Sequence, residues 1–439
     1  MFIEPFSAVG LIVLAIFVIG MVLIALEAVI HMDKFKPALF MTSSLIVIAL
    51  FYWASGNPEG FAHFSESQSE IKKELFALIA FMAFMWMIVE VLNERNVFNA
   101  LNDRLLGMGL GPKGMFWATG GLAALLSPFL NNITTAMIFG KSVTNLTDHQ
   151  KYKHVALCNI ILGSNSGVWF IGTSTSLMVV LAGKISIGGL LLLAPAALLG
   201  WAMSAAVLHF MYLRDIGDQK IFRDADVCYV VKPGGIGLTV VAFIAVVSAV
   251  LMNMVLKIDI EFALGIGLSI VALYGWYLKQ NQQVHIPFNE QFQKVEWNTL
   301  LFFIGIITAV ACLNHVGWLT YINWLFANID PVLVNAALGV LSGLLDNVPV
   351  EAAALMSDPQ LSPDQWALNA LMVGVGGSLT VIGSAAGIMA MSLEKTYTFA
   401  THLKFMPAIL VNFLGSLGLW YLFFVVFGLG GSAAGGSAG

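Results

Sequence analysis

Charged side chains are scarce in this sequence. Only 10% of its 439 residues are Asp, Glu, Lys or Arg, whereas 59% are hydrophobic, and the mean hydropathy is +0.87. A soluble domain has no way to hide that much apolar surface, so the shortage of charge excludes one. Cysteine is scarce as well: Cys158, Cys228 and Cys312 lie far apart and form no CxxC pair, which argues against a structural disulfide. The eight histidines show no HExxH or similar ligand spacing, and no P-loop signature occurs. Neither a zinc enzyme nor an ATP-driven pump is indicated, no cofactor is expected, and no nucleic-acid partner is expected. The N-terminus lacks a basic region followed by a small-residue cleavage site, so the first apolar segment reads as a retained span. Short segments of alternating hydrophobicity, the mark of a membrane β-barrel, are missing too.

What is present is a series of apolar runs, and they make this an all-α polytopic membrane protein with the lipid bilayer as its solvent. Ten runs are long enough to cross about 30 Å of hydrocarbon: 8–30, 37–54, 75–93, 155–183, 186–213, 234–256, 259–279, 298–316, 366–394 and 405–428. Two more, 114–147 and 331–356, are interrupted by the polar pairs Asn131-Asn132 and Asp346-Asn347. Each reads as either one broken span or a re-entrant hairpin, and the distribution of positive charge decides between these. With two hairpins and the N-terminus outside, 16 of the 20 Lys and Arg residues fall in internal loops, leaving only Lys72, Lys73, Lys184 and Lys257 outside. Treating 114–147 as a full span separates Lys141, Lys151 and Lys153 from Lys113, so hairpins are preferred and both termini are expected outside.

The same count implies an internal repeat. Residues 1–213 and 234–428 each hold about five spans and one hairpin, joined by a cytoplasmic segment at 214–233. An odd number of crossings turns the second copy upside down. Asn131-Asn132 aligns with Asp346-Asn347, and the Gly163 to Thr173 stretch aligns with Gly374 to Ser384. Inverted repeats with helices broken at the midplane are the build of secondary transporters. Two surface helices are expected directly before the hairpins, over 96–108 and 317–328. Residues 429–439 read as a flexible tail of linker composition.

The polar interruptions carry the candidate chemistry. An ionised carboxylate at a helix centre costs about 2.5 to 3.5 kcal/mol on insertion scales, so Asp346 is expected to face a polar cavity and bind either a cation or a proton. A carboxylate bonded only to hairpin-tip amides is the plainer alternative. Asn131, Asn132, Asn347, Thr134 and Thr135 offer neutral oxygens, the ligand type hard cations favour, though asparagine also caps broken helices. Pro349 lacks a donor and is expected to favour unwinding. The small polar runs with Ser164, Asn165, Thr173, Ser174, Thr175, Ser378 and Ser384 are expected to hold unwound backbone whose carbonyls meet cations; helix packing through small residues is the bland reading. Metal coordination, if present, is expected as Na⁺ at Asp346, Asn132 and Asn347. Glu351, about one turn beyond Asp346, is either a second proton carrier or a bystander. Glu27 and Glu90 read as interfacial or packing residues.

Glu94-Arg95-Asn96-Val97-Phe98, Leu126-Ser127-Pro128, Asn132-Ile133-Thr134-Thr135, Leu345-Asp346-Asn347-Val348-Pro349 and the run from Gly377-Ser378-Leu379 to Gly387 resemble the NhaD-type sodium/proton antiporters of the ion transporter superfamily. The resemblance covers nearly the whole chain. It implies a bacterial inner-membrane exchanger of Na⁺ or Li⁺ for H⁺, working by alternating access as a homodimer. Two positions depart from the family pattern: Asn131 stands where an aspartate is usual, and Thr173 where another is. Of three expected core carboxylates only Asp346 is present, which implies altered coupling. Na⁺-coupled uptake of a dicarboxylate-like anion, and an ion sensor without transport, are the rival readings.

Overall fold

The structure is a computed structural model and describes residues 4–30, 32–54, 58–214, 216 and 229–432. It is helical throughout, with no strand among the described residues. The chain opens with α1 (Ala8–Ala25), the short α2 (Glu27–Ile30), α3 (Phe35–Ala54), the long α4 (Pro58–Glu94) and α5 (Val97–Gly107). A helix pair follows, α6 (Pro112–Leu130) and α7 (Asn132–Leu146), and then a helix interrupted between α8 (Gln150–Asn165) and α9 (Ser174–Leu181). The short α10 (Ile187–Leu191) leads into α11 (Ala194–Leu208).

Beyond the connecting segment come α12 (Gly235–Leu256), α13 (Ile260–Gln282), the short α14 (Phe288–Gln293), α15 (Trp297–His315) and α16 (Thr320–Asn328). A second pair, α17 (Pro331–Ser342) and α18 (Asn347–Ser357), precedes a second interrupted helix, α19 (Pro363–Gly376) and α20 (Ala385–Leu393). The short α21 (Phe399–Leu403) and α22 (Met406–Trp420) close the fold. Most of the joining segment, including Cys228, and the end of the tail lie outside the described residues; Cys158 and Cys312 are buried free thiols.

Among the described residues, eight helical stretches are long and apolar enough to cross a membrane: Ala8–Ala25, Phe35–Tyr52, Ile71–Glu94, Ile187–Leu213, Gly235–Leu256, Ile260–Gln282, Trp297–His315 and Met406–Val426. They coincide with eight of the ten expected runs, although α1 stops five residues short of position 30. The other two runs are the interrupted helices α8/α9 and α19/α20. Helices α5 and α16 occupy the two positions at which surface helices are expected. Local chemistry sets many helix starts. Ser7 accepts a hydrogen bond from the Gly10 amide at 3.1 Å, Ser362 and Gln365 form a reciprocal capping box, and Pro112, Pro331 and Pro363 open their helices where a missing N–H costs nothing.

Helix α15 is the most buried of the spans, 67% against 28% for α1, and forms the centre of the packing. It lies against α3, α4 and α18, while α6 packs on α8, α17 on α19, α12 on α13 and α11 on α22. The outer helices turn Ile12, Ile19, Phe243, Val255 and Leu273 outward, an exposed apolar surface suited to lipid.

Two expectations about the interruptions are corrected. Gly163–Asn165 and Gly374–Gly376 are helical and Ser174 and Thr175 open α9, whereas the non-helical backbone, over 166–173 and 377–384, takes in Thr173, Ser378 and Ser384 of the expected runs. Gly163 and Gly376 are packing residues: a Cβ on either would lie 2.6 Å from the Gly120 carbonyl oxygen or 2.0 Å from that of Gly339. Small-residue packing therefore accounts for them. Pro349 does not unwind the chain either. It sits in the first turn of α18, whose amides have no intrahelical acceptor to lose.

Candidate cation site

The two polar pairs resolve into helix caps. Asn131 is the single residue between α6 and α7, at φ 65° and ψ 166°, a region costly for any side chain but glycine. Its side-chain oxygen accepts from the Thr134 amide at 2.9 Å, and its amide nitrogen is buried without a hydrogen-bond partner. Asp346 is the N-cap of α18 and takes the Val348 amide at 3.4 Å. Asn347 accepts from the Ser342 hydroxyl at 2.7 Å, and that hydroxyl also reaches the Val373 carbonyl at 2.8 Å, tying α17 to α19.

A cavity of about 30 Å³ lies where these caps meet, room for no more than a water molecule or two or a bare ion. Asn131, Asn132, Ser174, Asp346 and Asn347 line it, with Lys34, Trp86 and Thr299 on the remaining walls. Asn132, Ser174, Val348 and Ala385 in this lining lie in the first turns of α7, α9, α18 and α20. Four positive helix ends thus converge on a space that contains one acidic side chain.

Behind Asn132 runs a polar chain across both halves. Its amide donates to Asn165 Oδ1 at 3.1 Å, and Asn165 Nδ2 reaches the hydroxyls of Ser378 at 2.9 Å and Ser384 at 2.8 Å. The buried imidazole of His402 stands 2.9 Å from the Ser378 carbonyl and 2.8 Å from the Tyr397 hydroxyl.

Of the residues singled out in the sequence, the fold brings Asp346, Asn347, Asn131, Asn132 and Ser174 to the cavity and connects Asn165, Ser378 and Ser384 to it through hydrogen bonds. The others face elsewhere. Thr135 donates to the Asn131 carbonyl at 2.6 Å, Ser164 to the Ile161 carbonyl at 3.0 Å, and Thr173 shares its hydroxyl with Ser176 at 2.6 Å and Thr175 at 3.3 Å. Thr134 offers the cap its backbone amide. Glu351 is fully buried in α18, and neither carboxyl oxygen has a hydrogen-bond partner. No cluster of three or more His, Cys, Asp or Glu side chains forms a metal nest among the described residues.

Lys34 was not among the expected site residues, yet it is the closest partner of Asp346. Its Nζ lies 2.8 Å from Asp346 Oδ2, with both side chains about one-eighth exposed, and 4.3 Å from the centre of the Phe302 ring. Its backbone amide is 3.4 Å from Glu27 Oε1. Burial pulls the Lys34 ammonium down, but Asp346, with Glu27 and Glu296 more weakly, more than offsets this and holds it above the ordinary lysine range. Glu27 is pushed up by burial, partly countered by Lys34.

Fold and site together define a class: a polytopic helical membrane protein whose two halves meet at helix N-termini around one acidic residue. Residues 3–374 match the family model described as a citrate transporter. The chain is 31% identical to the Na⁺/H⁺ antiporter NhaD of Alkalimonas amylolytica, over 94% of this chain and 91% of that protein. It is 30% identical to the protein of that name from Halomonas elongata, over 94% and 88%, and 29% identical to sodium/proton antiporter 1 of Arabidopsis thaliana, over 88% and 67%. The chain belongs to this transporter family and to its NhaD-type members.

Proposed function

We propose that the protein is a secondary transporter that exchanges Na⁺ or Li⁺ for H⁺ across a bacterial inner membrane by alternating access. The observation that carries the reading is Asp346, one carboxylate set among the amides of Asn131, Asn132 and Asn347 at a cavity of ionic size. Such a carboxylate takes either a cation, with neutral oxygens completing the shell, or a proton. The NhaD-type relatives, named as Na⁺/H⁺ antiporters, support exchange of Na⁺ against H⁺.

The halves are read as inverted copies, 1–213 and 234–428, with re-entrant hairpins at 114–147 and 331–356 and broken helices at 155–183 and 366–394. Matching packing supports this: α3 on α15 has its counterpart in α4 on α13, α6 on α8 in α17 on α19, and α7 on α20 in α9 on α18. The reading places both termini outside and the protein in the membrane as a homodimer. With Asn131 and Thr173 in place of acids, exchange runs through a single acidic residue at the cavity, and Glu351, fully buried without a hydrogen-bond partner, is a candidate to hold a second proton.

The test is proton flux in proteoliposomes with a preset pH gradient, adding Na⁺, Li⁺ and K⁺ in turn. Na⁺ or Li⁺ should dissipate the gradient, and Asp346→Asn should abolish the effect. Full-rate exchange in that variant would remove Asp346 from the mechanism. The convergence of four helix N-termini also favours an anion; flux that waits for an added dicarboxylate would move the assignment to Na⁺-coupled anion uptake.

A further inference from the structure

We propose that Lys34 is a tethered cation that occupies the Asp346 carboxylate and must be displaced before the transported ion can bind. This rests on the assignment of Asp346 as the cation ligand. It adds a competitor from a different part of the fold: Lys34 precedes α3, and the two paired residues are 312 positions apart in the chain.

The geometry supports the idea in three ways. First, the ammonium at 2.8 Å from Asp346 Oδ2 stands where a bound cation would neutralise the same oxygen, and both groups line the same cavity. Second, the charge balance leaves no room for both. Asp346 and Lys34 sum to zero, four helix N-termini add positive potential, and Asn131, Asn132 and Asn347 are neutral. A bare Na⁺ entering beside the intact pair would meet net positive surroundings in a cavity of about 30 Å³. Third, Lys34 has somewhere to go. Glu27 on α2, Glu296 before α15 and the Phe302 ring all surround it and can retain the ammonium after release. A second, smaller cavity shares Lys34 and Asp346 with Glu27, Leu344 and Leu345, so the side chain lies at the boundary between two spaces.

The pair also has a mechanical consequence. It ties the start of α3 to the N-cap of α18 through a contact that Na⁺ itself competes for. Ion binding and release of the α18 cap become one event, and a buried carboxylate is never left without a counter-charge.

The experiment is a Na⁺ titration of the purified full-length protein, with choline replacing Na⁺ at constant ionic strength, read by thermal unfolding and calorimetry. Lys34→Gln should bind Na⁺ about tenfold or more tightly than the parent, Lys34→Arg should retain the weak affinity of the parent, and Asp346→Asn should bind none. Equal Na⁺ affinity in Lys34→Gln and the parent would overturn the latch while leaving the cation site intact. Absence of Na⁺ binding in both would overturn the cation site itself, and the latch with it. A measurement on the unmutated protein guards against misfolding of the variants: acylation of Lys34, quantified by mass spectrometry relative to Lys153, should rise on adding Na⁺. No change in Lys34 labelling at saturating Na⁺ overturns the proposal.

Discussion

Asn131 shows how much one residue does here. It reverses the chain between α6 and α7 at positive φ, caps α7 through its side-chain oxygen, and leaves its amide nitrogen buried without a partner at the cavity. An aspartate keeps the first two roles, since it caps helices as well as asparagine does and meets a similar backbone cost at this φ and ψ. It replaces the orphaned donor with a second acceptor and a charge. Asn131→Asp is therefore expected to lower thermal stability in Na⁺-free buffer by about 2.5 to 3.5 kcal/mol, the cost of a further ionised carboxylate at a helix centre, while strengthening Na⁺ binding, measured in the same titration series. A loss of affinity would mean that the asparagine nitrogen, not the missing carboxylate, shapes the site. Asn131 and Asp346 are legible in the sequence because a polar pair stands out inside an apolar run. Lys34 is not legible: it sits in a charged connection beside Asp33 and Lys36, and nothing in local pattern encodes a contact 312 residues away.

At the scale of elements, the interruptions in α8/α9 and α19/α20 depend on backbone passing close to backbone. A Cβ on Gly172 would lie 1.9 Å from the Pro128 carbonyl oxygen, and one on Gly383 would lie 2.7 Å from that of Gly343. In each case the neighbour is main chain at the C-terminal end of the first helix of the preceding pair, and it has no rotamer to yield. Gly172→Ala is expected to destabilise the protein by about 1 to 3 kcal/mol and to reduce cation binding. Gly418→Ala in α22, where a Cβ meets nothing, should be neutral or gain about 0.5 to 1 kcal/mol from helix propensity. Thermal unfolding of the two variants side by side checks the contrast. Composition shows that glycines cluster near the breaks. It does not show which of them face a neighbouring helix, and for that reason the runs 163–167 and 172–176 bracket the break without giving its bounds: Gly163 lies in α8 and Ser174 opens α9, and the backbone is unwound over 166–173 between them.

For the whole molecule, the decisive property is the relation between the halves. Apolar periodicity makes the spans legible, because the bilayer imposes one length on all of them. Orientation has a weaker signal, the uneven distribution of Lys and Arg. The paired packing patterns relate the halves without orienting them: α9 meets α18 and α7 meets α20, so the ends of the broken helices occupy related positions. Lys184 follows α9, and Lys395 follows α20 at the corresponding place in the second half. If the halves are inverted, these two lysines lie on opposite faces of the membrane. In a background without native cysteines, Lys184→Cys should react with an impermeant maleimide added to intact cells, and Lys395→Cys only after the membrane is opened. Labelling of both from one side would make the halves parallel copies, and Asp346 and Asn131 would then approach the cavity from the same face. Opposite labelling would put the two helix-pair tips on antiparallel paths to a shared midplane, the arrangement in which a rocking motion exposes one carboxylate to each side in turn.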